Sequence, residues 1–191
     1  MKYPLAYLIT FTTYGTWLHG DGRGSIDRNH NKYGDEFLPE KENFERQDCK
    51  LLKNTAVFLD ERDRNIVLDA ILSQCDFRGW FAHAVHVRSN HVHIIVSAME
   101  KPEKIMSVLK AYSTRTLRAL GVERTRFWTT HGSTRYLWTK EKLDMAIKYV
   151  RDGQGVMMTY GHSKKQSLER KRQEEFSLRY RLGSDGLCKR E

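Results

Sequence analysis

The chain has 191 residues, of which 39% are hydrophobic and 30% charged, and its formal net charge is +9. This length fits one domain with appendages, and the low hydrophobic share means that part of the chain is expected to lie outside a packed core. Three cysteines, Cys49, Cys75 and Cys188, lie far apart and form no Cys-x-x-Cys pair, which argues against a disulfide framework or a thiolate zinc site and fits a reducing cytoplasm. The first eleven residues form too short an apolar run to cross a membrane, so we expect a strand there.

The first half of the chain is predicted to contain three strands and one helix. A buried strand is expected over 5–14, followed by a glycine-rich loop that opens a polar stretch reaching residue 55. Asp60 is a suitable N-cap for a helix that runs to about Cys75 and is ended by Gly79. Strands are then expected over 80–87 and 91–96, joined by a tight turn; His83 and His86 fall on opposite faces of the first of these strands and are expected to be ordinary sheet histidines.

The second half alternates two helices with one strand. Pro102 begins a helix that runs to Gly121, strand pieces follow at 127–128 and 135–138, and Thr139 caps a third helix ended by Gly153. Seven elements in this order predict an α+β sandwich, an antiparallel sheet with helices packed on one face in a ferredoxin-like arrangement.

The positive charge is concentrated in the second half. Residues 101–151 contain twelve Lys and Arg against four Asp and Glu, and residues 161–191 contain nine against five. Such clustering favours a surface for a polyanion, although a solvated basic face without a ligand gives the same count.

The stretch 91–96 alternates as a strand, so that His91 and His93 share one face with Ile95. Imidazoles two residues apart in a strand lie about 6.5–7 Å apart along the chain, which allows both to bind one metal ion. A half-polar strand face with hydrogen-bonded histidines fits the same pattern, and the spacing alone leaves both interpretations open.

Tyr149 lies on the flank of the apolar stripe that Leu143, Ile147 and Val150 form on the third helix. From this flank its phenol can reach past the edge of the helix towards the sheet. A tyrosine at the boundary of the core occupies the same kind of position.

Together, the run Asn90-His91-Val92-His93-Ile94-Ile95-Val96, the basic helix, the segment 135–138 and the run Ile147-Lys148-Tyr149-Val150-Arg151-Asp152-Gly153-Gln154 resemble the single-tyrosine HUH transposases. The resemblance is closest to the REP-associated tyrosine transposases and related short transposase-like proteins. It implies one domain over 1–155 with the HUH palm sandwich and an insertion at 15–55. The basic remainder, 156–191, has few apolar anchors, and we expect it to be a mobile or loosely docked tail.

The resemblance implies a DNA transposition activity in which single-stranded DNA is cut and rejoined. Tyr149 would be the nucleophile that forms a 5′-phosphotyrosine, and His91 and His93 would hold Mg²⁺ or Mn²⁺ at the scissile phosphate. The partner would be single-stranded DNA with hairpins, bound by a monomer or homodimer in the cytoplasm at the nucleoid, with no membrane.

The third metal ligand departs from the family pattern. The family has a glutamine four residues after the tyrosine, but that position is Gly153 here and the glutamine is Gln154. Gln154 is favoured as the ligand if the helix ends at Gly153, and Asp152 is the alternative.

Candidate DNA contacts are the cations of the basic helix and of the elements after it. These are Lys104, Lys110, Arg115, Arg118, Arg135 and Lys148. Trp17, Trp128 and Trp138 are candidate stacking platforms for bases, with packing in the core as the alternative for each.

Two other functions fit the same residues. One is a catalytically inactive hairpin-DNA-binding protein of this fold, which the displaced glutamine favours. The other is a metallohydrolase in which the two histidines activate water and Tyr149 is structural.

Overall fold

The computed structural model describes residues 3–16 and 52–153. The described elements, in chain order, are strand β1 (Ala6–Thr12), helix α1 (Glu61–Arg78), strands β2 (Phe81–Val87) and β3 (His91–Ser97), helix α2 (Pro102–Ala119), strand β4 (Ser133–Leu137) and helix α3 (Lys140–Asp152). The predicted α+β class and the order of the elements are confirmed. Most of the predicted insertion at 15–55 and the whole tail at 156–191 lie outside the described residues.

The helices begin and end where the capping residues predict. Asp60 Oδ1 accepts a hydrogen bond of 2.7 Å from the backbone N–H of Asp63 and so caps α1. Gly79 ends α1 in the left-handed conformation, with φ of 67°, which a glycine adopts without a steric penalty. Thr139 caps α3 through the backbone N–H of Lys142.

The four strands form one antiparallel sheet in the order β2-β3-β1-β4. Strand β3 therefore lies between β1 and β2, which α1 connects, as in a split βαβ unit. The register places His93 of β3 between His86 of β2 and Thr10 of β1. These three side chains consequently share one face of the sheet.

The core face of the sheet, as we name it, is covered by α1 and α2. Ile9 and Phe11 of β1, together with Val92 and Ile94 of β3, pack there against apolar residues of both helices. The opposite face, which we name the α3 face, carries α3. The sequence predicted all helices on one face, but the stripe of α3 packs on Ala6, Leu8 and Ile95, which point away from the core face. Two helices thus lie on one face and the third on the other.

A β-bulge in β2 changes the side on which His83 lies. The pairing of β2 with β3 shifts between Ala82 and Ala84, so His83 is the extra residue. Its Nε2 lies 2.7 Å from Ser97 Oγ, and Ser97 is on the α3 face. The expectation that His83 and His86 lie on opposite faces was wrong, because it assumed that side chains alternate strictly along a regular strand.

Candidate active site

Two histidines of β3 come together on the α3 face. The ring centroids of His91 and His93 lie 4.7 Å apart, with their planes at 74°. His93 is buried, whereas His91 is partly exposed at the end of the strand. Both rings therefore meet at the boundary between the covered and the accessible parts of this face.

A polar contact at Nδ1 orients each ring. Asn90 Oδ1 lies 2.7 Å from Nδ1 of His91, and because a carboxamide oxygen only accepts, Nδ1 carries the proton. Thr10 Oγ1 lies 2.7 Å from Nδ1 of His93 and can accept in the same way. With the proton on Nδ1, an imidazole has its lone pair at Nε2, and this is the form that binds a metal ion and is oriented by a neighbouring acceptor.

The pair fits a divalent cation only in part. Within 3–16 and 52–153, no third His, Cys, Asp or Glu joins the pair to make a group of three. Asp152 is exposed, and its carboxylate accepts a hydrogen bond of 2.9 Å from Arg151, which lowers the pKa of Asp152. Imidazole alone suits zinc or iron better, and either Mg²⁺ or Mn²⁺ needs oxygen ligands besides. Gln154 lies outside the described residues.

Tyr149 lies beside the histidine pair. Its ring centroid is 5.8 Å from that of His93, with the planes at 68°, and the side chain is 49% exposed. The neighbouring Val150 is fully buried in the small apolar cluster between α3 and the sheet. The last turn of α3 is thus anchored by Val150 while the phenol of Tyr149 stays accessible to a substrate.

His86 of β2 is the ladder partner of His93 and is directed to α3 rather than to the histidine pair. It is buried, and its Nδ1 lies 3.3 Å from the carbonyl oxygen of Val150. Burial lowers the pKa of His86, which keeps the imidazole neutral near pH 7. The contact was missed at the sequence level, although the two-residue turn Ser89-Asn90 fixes the hairpin register and so pairs His86 with His93.

The sequence that builds this site matches a known protein family. The model of the family described as "Transposase IS200 like" matches residues 51–152, which is more than half of the chain. The chain belongs to the IS200-like transposase family. This membership supports a role in DNA transposition, and it agrees with the transposase family that the sequence motifs resemble.

Other comparisons add two solved structures. One is a REP-associated tyrosine transposase bound to a REP hairpin, with 11% identity, coverage of 80% of this chain and 67% of that chain, and a TM-score of 0.48. The other is a candidate transposase from Deinococcus radiodurans R1, with 12% identity, coverage of 78% and 91%, and a TM-score of 0.39. No curated protein gives a significant match. The family assignment therefore rests on the sequence match over 51–152.

Several candidate DNA contacts of this IS200-like chain bind other groups of the protein, among them Lys104, Lys110 and Arg118. Lys110 donates to backbone carbonyls of residues 129–131, at 2.8 Å for Thr129 and 3.0 Å for His131. Burial lowers the pKa of Lys110 to about 8, and the three carbonyls satisfy its three donors. Arg118 donates to the carbonyl of Arg124 at 3.1 Å, and Lys104 forms an ion pair of 2.6 Å with the carboxylate of Glu100.

The other three candidates are exposed cations on both sides of the sheet. The guanidinium of Arg115 lies 4.8 Å from the centroid of the Tyr112 ring on α2. Arg135 of β4 pairs with Leu8 and so belongs to the α3 face, which also carries Lys148 on the outer surface of α3. The basic residues of this transposase family member are therefore divided between α2 and the side of the candidate active site.

The tryptophans differ in their surroundings. Trp128 is 6% exposed and donates from Nε1 to Thr114 Oγ1 at 3.1 Å, so it is a core residue and not a stacking platform. Trp138 is 46% exposed and stacks on Tyr136, with centroids 6.1 Å apart and planes at 15°. Trp17 lies outside the described residues.

Within the described part of the chain, no helix has the length and hydropathy needed to span a bilayer.

Proposed function

We propose that this chain cuts and rejoins single-stranded DNA, with Tyr149 as the nucleophile beside a cation site at His91 and His93. The observation that supports it most directly is the contact between Tyr149 and His93, whose ring centroids lie 5.8 Å apart. An accessible phenol against a metal-binding imidazole is the arrangement that a tyrosine-dependent transesterification needs. Membership of a transposase family supplies the matching substrate class.

The reaction exchanges one phosphodiester for another. The Tyr149 oxygen attacks the phosphorus, a bond to that oxygen forms, and the bond from phosphorus to the 3′ oxygen breaks. The phenol proton passes to water at the half-exposed site, and a 3′ hydroxyl is left on the departing strand. Because the 5′-phosphotyrosine retains the bond energy, attack by a 3′ hydroxyl reverses the step and regenerates Tyr149 without ATP.

The histidines would hold Mn²⁺ or Mg²⁺, which when bound would withdraw charge from the scissile phosphate. Asn90 and Thr10 orient the two rings for this purpose through their bonds to Nδ1. We prefer Gln154 to Asp152 as the third ligand, since the carboxylate of Asp152 is bound to Arg151.

Hairpin-containing single-stranded DNA is the proposed substrate, and its phosphates need cations near the cleavage site. Arg135 and Lys148 are the preferred contacts there because they belong to the same side of the sheet as Tyr149. Lys104, Arg115 and Arg118 would serve a more distant part of the DNA along α2, whereas the three donors of Lys110 are already taken by backbone carbonyls. The stacked pair Tyr136 and Trp138 offers aromatic surface to an unpaired base.

The test is formation of a covalent protein–DNA complex on a denaturing gel. The protein is incubated with a panel of single-stranded hairpin DNAs and Mn²⁺, with or without EDTA. We expect a covalent band for the wild type and none with EDTA or with Tyr149→Phe. Tyr112→Phe is the matched control, because it removes one hydroxyl from a partly buried tyrosine of α2 and should retain the band.

Two other results would contradict the proposal. Cleavage without a covalent band would favour a hydrolase in which the histidines activate water. Binding without cleavage across the whole panel would favour the second candidate function, a hairpin-DNA-binding protein without chemistry. That candidate is supported by the sequence, since Gly153 stands where the family has its glutamine ligand.

A further inference from the structure

The last turn of α3 carries carbonyl groups that the helix itself cannot satisfy. The final four carbonyls of an α-helix lack partners within it, and such turns fray unless other groups bind them. In α3 the carbonyl of Tyr149 accepts from the backbone N–H of Gly153 at 2.9 Å. The next carbonyl, that of Val150, accepts from Nδ1 of His86 at 3.3 Å. A side chain of the sheet thus binds a carbonyl of the last turn directly after Tyr149.

His86 is placed to couple the helix to the strand of the histidine pair. Its partner across the β2–β3 ladder is His93, and Tyr149 contacts that same His93. The donor of His86 points to α3, so its proton is on Nδ1 and is used in positioning the helix. His86 thus binds the carbonyl that follows Tyr149 and pairs in the ladder with the same His93 that Tyr149 contacts.

We propose that His86 is a positioning residue that fixes the last turn of α3 through the carbonyl of Val150 and so holds Tyr149 against His93. Its consequence for the reaction rests on the proposed function of Tyr149. The buried side chain of Val150 also holds the turn, but an apolar contact is not directional. The hydrogen bond fixes the rotation of the turn, which determines where the phenol points.

Small changes in the direction of the Tyr149 phenol affect the rate of the reaction. A displacement of about 1 Å at a reacting group reduces a rate by roughly a hundredfold. Loss of the His86 bond should therefore slow the chemical step more than it weakens DNA binding, since the DNA contacts proposed above lie on other residues.

The experiment compares two nearly isosteric substitutions. His86→Asn keeps an N–H donor at the place of Nδ1, whereas His86→Leu has a methyl group there. His83→Leu is the control, because it removes another, partly buried histidine of β2, whose ring nitrogen contacts Ser97 Oγ. Hydrogen exchange at the backbone amides of 151–153, the single-turnover rate of the covalent complex at saturating DNA, and the Kd for DNA are measured for each.

We expect His86→Leu to speed exchange at 151–153 by about tenfold and to slow covalent complex formation by roughly 10- to 100-fold, with Kd unchanged. His86→Asn should retain most of the protection from exchange at 151–153 and most of the rate of covalent complex formation. His83→Leu should resemble the wild type in both measurements. Unchanged exchange in His86→Leu, or equal rates for the Asn and Leu variants, would overturn the inference. A wild type that forms no covalent complex would refute the proposed function and with it the catalytic consequence, while the exchange data would still decide whether His86 holds the turn.

Discussion

The two faces of the sheet are built from the same strands but differ in chemistry. On the core face, Ile94 and its neighbours are fully buried against α1 and α2. On the α3 face, the residues that alternate with them include Thr10, His91 and His93, and α3 leaves Tyr149 about half exposed. One strand thus provides packing on one side and polar groups on the other. The comparison indicates that stability and chemistry can be altered separately by substitutions one residue apart.

The largest expected effect tests this separation directly. Ile94→Ala removes a fully buried side chain from the core face and should lower the free energy of unfolding by about 2–5 kcal/mol. His93→Ala, one residue away, should cost about 1 kcal/mol, mainly through the lost bond to Thr10, and should abolish the proposed metal binding. Urea unfolding of both variants is the measurement. Equal losses in the free energy of unfolding would show that the two faces contribute equally to stability.

Thr10→Val sharpens the account of the α3 face. It removes the hydroxyl that holds Nδ1 of His93 and should reduce affinity for Mn²⁺ by roughly 10- to 100-fold. Thr12→Val is the control, since the Thr12 hydroxyl bonds to Thr129 and not to a histidine. Titration calorimetry with Mn²⁺ measures both. If the two variants bind the ion equally well, Thr10 does not orient the site.

A third comparison concerns the exposed and the buried tryptophan. Trp138→Leu should weaken binding of single-stranded DNA by about 1 kcal/mol, roughly fivefold in Kd, because a stacking surface is lost. Trp128→Leu should instead lower stability, because Trp128 packs on Phe11 in the core. Fluorescence anisotropy and thermal unfolding separate the two effects. An unchanged Kd for Trp138→Leu would remove the aromatic pair from the DNA surface.

A further expected effect is a pH dependence of stability that arises on the α3 face. Burial lowers the pKa of His83 from 6.5 to about 4, against a weaker raising effect of Asp144 on α3. Between these pH values the unfolded chain binds the proton and the folded chain does not, so stability falls as the pH is lowered from about 6.5 to about 4. His83→Leu should reduce this slope in unfolding measurements at several pH values. An identical slope in the variant would contradict the assignment to His83.

Much of the fold could be predicted from the sequence because its signals are local. The alternation over 91–96 and the capping residues Asp60 and Thr139 identified elements that the structure contains. The bulge at His83 could not be predicted, since an inserted strand residue has no distinctive composition. The position of α3 depends on tertiary packing, although the apolar Ala6, Leu8 and Ile95 on the second face of β1 and β3 were visible in the sequence.

The sequence predicted the residues of the candidate site one by one. It did not predict how they are arranged in space. The sequence pointed to His91, His93 and Tyr149 individually, whereas the contact between the rings of His93 and Tyr149 depends on how α3 packs on the sheet. The role of His86 required both the hairpin register and the position of the Val150 carbonyl. Long-range contacts of this kind leave no periodic signal in the chain.

The most direct test of the central claim is to locate the DNA within the trapped complex. The covalent complex formed with hairpin DNA and Mn²⁺ is digested with protease and nuclease, and the modified peptide is sequenced by mass spectrometry. We predict a nucleotide joined through its 5′ phosphate to Tyr149. A nucleotide on another residue, such as the exposed Tyr136, or no modified peptide from any hairpin, would contradict the account.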